Sequence, residues 1–193
     1  LYDRGKEKTS QARILSGIRS FFNYLLLTDA IAASPAEFID TPKFGRRLPD
    51  VLTTDEIDRI IAAVDMRTPK GRRDSAMLEV LYSCGLRVSE LPALRRSDLF
   101  FGEGYIRVTG KGDKQRLVPV SAAARDKIQL YLEERPPKYS GAETVFLNNR
   151  GTGLTRVMVF TIIRQAALRA GIEKHISPPT FRHSFATHLL DGG

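Results

Sequence analysis

The chain has 193 residues, 42% of them apolar, enough for one good-sized packed domain or one domain plus a fragment. Its 30 Lys and Arg against 22 Asp and Glu give a formal net charge of +8 and a pI near 9.8, which makes nucleic acid the leading partner; a basic protein without such a partner is the alternative. A single cysteine excludes an intrachain disulfide framework, no stretch approaches the roughly 18 apolar residues of a membrane helix, and no signal peptide is visible, so a reducing, cytoplasmic setting is expected.

In chain order, residues 1–9 are polar and charged, and the start at Leu1 rather than Met leads to the expectation of a preceding segment. Ile14, Leu15, Ile18, Phe21, Phe22 and Leu25 then recur at helical spacing, with Arg13 and Arg19 outside the stripe. One helix cannot bury its own stripe, so it needs upstream helices or the rest of the chain. Ser34-Pro35 opens a helical turn through Ile39, and residues 42–50, with two prolines, Gly45 and a basic cluster including Lys43 and Arg46, read as a linker. Thr53-Thr54-Asp55-Glu56 is a capping box before Ile57, Ile60, Ile61 and Val64, and so marks a domain start.

The stretch from Met66 to Arg73 reads as a polar connection and Asp74 to Ser83 as a helix ended by Gly85. Cys84 falls in that apolar run and is assigned to the core. Ser89-Glu90-Leu91 opens a short helix. Tyr105–Thr109 and Arg116–Val120 flank a Gly- and Lys-rich turn in a hairpin pattern. Ser121 caps a helix with Ala124, Ile128, Tyr131 and Leu132 on one face, stopped by Pro136-Pro137. Val145-Phe146-Leu147 reads as a short buried strand. Thr155 starts a helix to about Ala170, ended by Gly171, and Ser177-Pro178-Pro179 opens the last one. The expected fold is mainly α with a small antiparallel β-sheet.

Three cations stand out. Arg87 follows the glycine break at Gly85; its planar fork suits two phosphate oxygens, although a surface pairing with Glu90 three residues on is the plainer reading. Lys111 sits between Gly110 and Gly112, where a flexible ammonium can reach and protonate a leaving oxygen, or simply face solvent. Arg182 lies within one turn of the last helix's start, adding to an end that already favours a phosphate. Lys114, Arg116 and His183 extend the positive charge toward a DNA backbone, with Arg13, Arg19, Lys43 and Arg46 upstream, whereas His188 is assigned to packing. No Cys, His, Asp or Glu cluster has metal spacing, and there is no P-loop or dinucleotide fingerprint, so neither a metal nor another cofactor is expected.

Taken together, Gly-Leu-Arg-Val-Ser-Glu-Leu around Arg87, Gly-Lys-Gly-Asp-Lys-Gln-Arg-Leu-Val-Pro around Lys111 and Phe-Arg-His-Ser-Phe-Ala-Thr-His-Leu-Leu around Arg182 resemble the tyrosine site-specific recombinases, phage-type integrases of the Xer branch. The resemblance also takes in Leu52–Ile57 and Thr9–Ile39. It implies residues 1–41 as the end of a helical core-binding domain, 42–50 as linker and 51–193 as a catalytic domain. It further implies a partner of double-stranded DNA at a recombination site, a recombinase tetramer on that DNA, and a 3′-phosphotyrosyl intermediate formed without metal or cofactor. Arg87 and Arg182 match the family's two phosphate-clamping arginines and Lys111 its hairpin general acid.

Two departures accompany the match. The family's His-x-x-Arg reads Pro179-Thr180-Phe181-Arg182 here, so proline stands at the histidine position, with His175 as a nearby substitute. The family's nucleophilic tyrosine lies in a box after this helix, whereas Tyr2, Tyr24, Tyr82, Tyr105, Tyr131 and Tyr139 all precede Arg182. The expectations are that this piece alone does not cleave DNA and is a monomer in solution. The competing readings are a non-catalytic DNA-binding relative with a degenerate site, and a topoisomerase of the related single-strand-nicking type.

Overall fold

The computed structural model describes residues 7–42, 51–174 and 176–191. The chain divides into two compact units, Leu1–Leu48 and Pro49–Gly193. Most of the linker segment, with Lys43 and Arg46, and His175 lie outside the described residues.

In the first unit a single long helix, α1 (Lys8–Leu27), carries the apolar stripe. Leu15 is buried, but Phe21, Tyr24 and Leu27 face solvent. Arg13 is exposed. Arg19 is not free: its guanidinium donates to the carbonyls of Ala36 and Ile39 and, at 2.9 Å, to Thr41 Oγ1, fastening the 34–41 turn back along the helix.

The second unit is helical around a small sheet. The helices are α2 (Thr54–Ala62), α3 (Pro69–Ser83), α4 (Ala122–Glu133), α5 (Arg156–Arg169) and α6 (Pro178–Asp191). Thr53 and Glu56 form the expected capping box, and Ser121 and Thr155 accept from the third residue of their helices. Ile57, Ile60, Met77, Leu78, Leu81, Ile128, Phe146 and Phe181 form one fully buried core. Strands β1 (Leu99–Phe100), β2 (Tyr105–Thr109) and β3 (Gln115–Pro119) run antiparallel in the order β1-β2-β3. Ile106 and Val108 point into the core, as period-two alternation requires. Among the described residues no helix is long and apolar enough to cross a membrane.

Two expectations are corrected. Helix α3 begins at Pro69, not near Asp74, because Thr68 accepts from Gly71 N and Pro69 occupies the first helical position. That is an N-terminal signature which the surrounding charge concealed. Residues 145–147 are buried but form no strand. Arg95–Thr144 and Leu147–Gly153 pair only as isolated bridges. The carbonyls of Thr144 and Val145 are instead taken by the buried guanidinium of Arg135, so the ladder cannot extend.

Candidate active site

Helix α3 ends in a Schellman motif: Gly85 N–H donates to Tyr82 O and Leu86 N–H to Leu81 O. Gly85 has φ +56°, and a Cβ there would meet ring carbons of Phe185 at 2.5 and 2.7 Å. Only glycine satisfies both conditions. The end of α3 and the face of α6 are thereby brought together, and Tyr82 adds an edge contact to Phe185 and a 2.8 Å hydrogen bond to His188 Nδ1. His188 is thus a packing residue, as the sequence indicates. A second fastening lies deeper: Leu52 N–H donates to the buried Ser184 Oγ, which itself donates to Thr180 O, both at 2.9 Å.

This docking puts the residues after Gly85 beside the first turn of α6. Arg87, Val88, Ser89, Arg156, Val157, Phe160, Pro179 and Arg182 line one open pocket of about 650 Å³. Arg87 and Arg182, 95 positions apart in the chain (182 − 87), therefore share a site. Pro179 borders it and offers neither donor nor titratable group. Arg156 and the apolar wall of Val157 and Phe160 escaped the sequence reading, which gave α5 only its ends.

Arg87 is held by Glu90, as the plainer reading has it; Arg87 is exposed, but its partner is buried. Glu90 is 4% exposed, and each of its oxygens accepts two bonds. Oε1 takes Arg87 Nη1 at 2.9 Å and Arg116 Nη1 at 2.8 Å; Oε2 takes Arg87 N–H and Arg116 Nη2, both at 2.8 Å. Burial opposes the ionised carboxylate, but the Arg116 and Arg87 donors outweigh it and hold Glu90 at about 2. Arg182 is in the opposite situation. Burial first, and then the charge of Arg87, push its guanidinium below the ordinary value, with Glu90 partly offsetting them. It stays cationic, as arginine does in proteins. Its Nη1 is buried with no hydrogen-bond partner among the described residues. A buried donor left unmet beside a second guanidinium is an anion site in waiting.

Lys111 lies in the β2–β3 turn, a one-turn 3₁₀ segment (Lys111–Asp113) made possible by Gly112 at φ 73°. It is exposed and does not line the pocket, but its neighbour Gly110 does approach the site: a Cβ there would sit 3.4 Å from Glu90 Oε1. Lys114 and His183 are exposed. Arg116, expected as a backbone contact for DNA, is engaged by Glu90. The signal for this lies in the strand alternation, since Arg116 pairs with the core-facing Val108. No group of three or more His, Cys, Asp or Glu able to hold a metal occurs among the described residues.

The Glu90 arrangement predicts an acid-labile clamp. Its folded value of about 2 lies below the ordinary 4.5, so its stabilisation is full above pH 4.5 and is lost as pH falls from there toward 2. Its share is on the order of 3 kcal/mol. Urea unfolding of wild type and Glu90→Gln is expected to show a gap at pH 6 that closes by roughly that amount near pH 2. A gap independent of pH would mean that Glu90 titrates alike folded and unfolded.

Residues 50–193 match the phage integrase family. The chain is 45% identical over 194 aligned residues to the tyrosine recombinase XerD of Listeria innocua, covering 98% of this chain and 65% of the relative. It is 48% identical to the XerD of Chlorobaculum tepidum, covering 100% and 66%. The chain thus spans just under two thirds of the length of these curated relatives. Among solved structures, the XerA recombinase superposes with a TM-score of 0.69 at 30% identity over 99% of this chain and 65% of that one. XerH bound to a palindromic difH substrate gives 0.79 at 21% identity, covering 100% and 57%, a likeness of fold. The matched region contains all three motifs and the pocket lined by Arg87 and Arg182: the chain belongs to the phage integrase family.

Proposed function

We propose that this chain is the central part of a site-specific DNA recombinase of the Xer kind. The observation that carries the reading is the pocket lined by both Arg87 and Arg182, the latter with a buried donor that has no partner among the described residues. In this reading the two guanidiniums bind the non-bridging oxygens of one scissile phosphate and stabilise the charge that grows there during attack. A tyrosine oxygen bonds to phosphorus, the bond to the 5′ oxygen breaks, and Lys111 supplies the proton that this oxygen takes up. The phosphotyrosyl ester conserves the bond energy for rejoining, so no cofactor is required. None of the tyrosines among the described residues lines the pocket. The nucleophile is therefore assigned to a residue outside these 193, and the chain alone is expected to form no adduct. The proposed partner is double-stranded DNA in the cytoplasm, gripped through Lys114, His183, Arg13 and the basic linker. The DNA-bound assembly is a tetramer and the free chain a monomer.

Pro179 favours a second reading, a DNA-binding relative that has lost catalysis, because it lines the pocket where the family motif carries histidine. A nicked suicide substrate carrying the recombination site separates the two. The full-length protein and its Pro179→His variant are expected both to give a denaturant-stable protein–DNA band, the variant faster by up to about a hundredfold. A band only with histidine would mean that Pro179 disables the site. No band from either, with binding intact, would establish the non-catalytic reading.

A further inference from the structure

We propose that Arg116 is a positioning residue, holding the hairpin that carries Lys111 against the anchor of Arg87, and not a phosphate contact. The inference rests on the recombinase reading above. Sequence alone places Arg116 in a cationic hairpin with Lys111 and Lys114, where contact with a DNA backbone is the natural expectation. The strand register points elsewhere. Arg116 lies opposite Val108, which is 2% exposed, whereas its neighbours Gln115 and Leu117 face solvent. The side chain therefore leaves β3 on the core side and meets Glu90 with both terminal nitrogens at 2.8 Å.

Glu90 is the junction. It is buried, it holds the backbone and side chain of Arg87, and it has no oxygen free of arginine donors. For Arg116 to turn to a phosphate, it would have to leave a buried carboxylate half-paired and break a bidentate charge-assisted contact. Gly110, next to Lys111, passes close to the same carboxylate without bonding to it: a Cβ there would lie 3.4 Å from Glu90 Oε1. Arg116 thus fixes one arm of the turn to Glu90, Gly110 N–H joins the other arm to it through Lys114 O at 2.8 Å, and Glu90 fixes Arg87. The clamp and the proton donor are registered through Glu90, with Arg116 as the tie. A third of the Arg116 side chain remains exposed, at 36%, so the competing role is open to test.

The test uses the full-length protein with Arg116→Gln and Arg116→Lys, the latter keeping the charge without the fork. Adduct formation at saturating DNA, DNA affinity against salt, and melting are measured for each. The expected result is adduct formation slowed by about a hundredfold in both, with affinity and salt slope unchanged. In a Glu90→Gln background the further loss from Arg116→Gln is expected to be under about threefold, since the two act as one unit. A substrate whose leaving 5′ oxygen is replaced by sulfur, which departs without needing a proton, should recover part of the loss; a merely structural defect gives no such recovery. Should Arg116→Gln melt early, Arg116→Lys carries the comparison. A normal saturated rate with weaker binding, and a salt slope reduced by about one, would make Arg116 a phosphate contact and overturn the proposal. So would additive losses with Glu90→Gln, or unaffected variants beside a reactive wild type. A wild type that forms no adduct sinks the recombinase reading first, and this proposal with it.

Discussion

Replacing Arg182 by Ala in the full-length protein is expected to slow phosphotyrosyl adduct formation by about a thousandfold, while DNA affinity changes by less than about tenfold. The size of the effect follows from the state of the side chain. Its Nη1 is already buried and without an acceptor among the described residues, so a phosphate bound there meets an unpaired donor. Neighbouring Arg87 adds charge of the same sign, which an incoming phosphate relieves. The same crowding predicts the behaviour of the empty protein. Removing a guanidinium disfavoured by burial and by like charge should leave the melting temperature unchanged or raise it, the usual relation between a strained site and stability. Arg182→Lys keeps the charge but not the fork, so it should recover only part of the rate. A variant reacting within about tenfold of wild type would remove Arg182 from the reaction.

Gly85→Ala is expected to lower stability by about 3 kcal/mol, and the melting temperature by about 10 °C. Two separate causes contribute. The left-handed backbone at φ +56° costs an alanine about 1 kcal/mol. The new methyl would also lie 2.5 Å from a Phe185 ring carbon, inside any tolerable contact, so α6 must shift. Overpacking of this kind costs about 2 kcal/mol. Because α6 carries Arg182, the shift should also open the pocket and slow the chemistry beyond what lost stability explains. Phe185→Ala separates the two causes. In that background the steric part disappears, and Gly85→Ala should cost only about 1 kcal/mol, a coupling of about 2 kcal/mol across the pair. Equal penalties in both backgrounds would mean that Phe185 does not press on Gly85.

Local punctuation made most of the fold legible in the sequence. Thr53–Glu56, Ser121, Thr155 and Gly171 mark helix ends through chemistry contained within a few residues. The hairpin strands announced themselves by alternation. What stayed hidden depends on groups distant in the chain. Nothing near residues 145–147 says that Arg135 will claim their carbonyls. Nothing near Gly85 names Phe185 as its neighbour. The arginines of the site were individually visible, but their meeting depends on those contacts. Glu90 was noticed only as a local partner for Arg87, because its second arginine arrives from a strand 26 positions later. The Glu90 partner of Arg116 stayed hidden for the same reason: its cationic neighbours suggest solvent and DNA, while its register brings it to the buried carboxylate.

The Ser184–Leu52 hydrogen bond closes a span of 132 residues, and it has a consequence for synthesis of the protein. On the ribosome, Arg87 and the hairpin emerge well before Phe185, Ser184 and Arg182. At ordinary elongation rates the 95 residues between the two arginines take roughly 5 to 20 seconds to appear. At Arg87 the nascent chain holds only 14 Lys and Arg against 12 Asp and Glu, so most of its cation excess comes later, and until α6 is made no two-arginine pocket exists. On the recombinase reading, the phosphate pocket therefore forms late, only once α6 has been made and has docked. A copy that stops before α6 would hold Arg87 without Arg182 and so lack the two-arginine pocket.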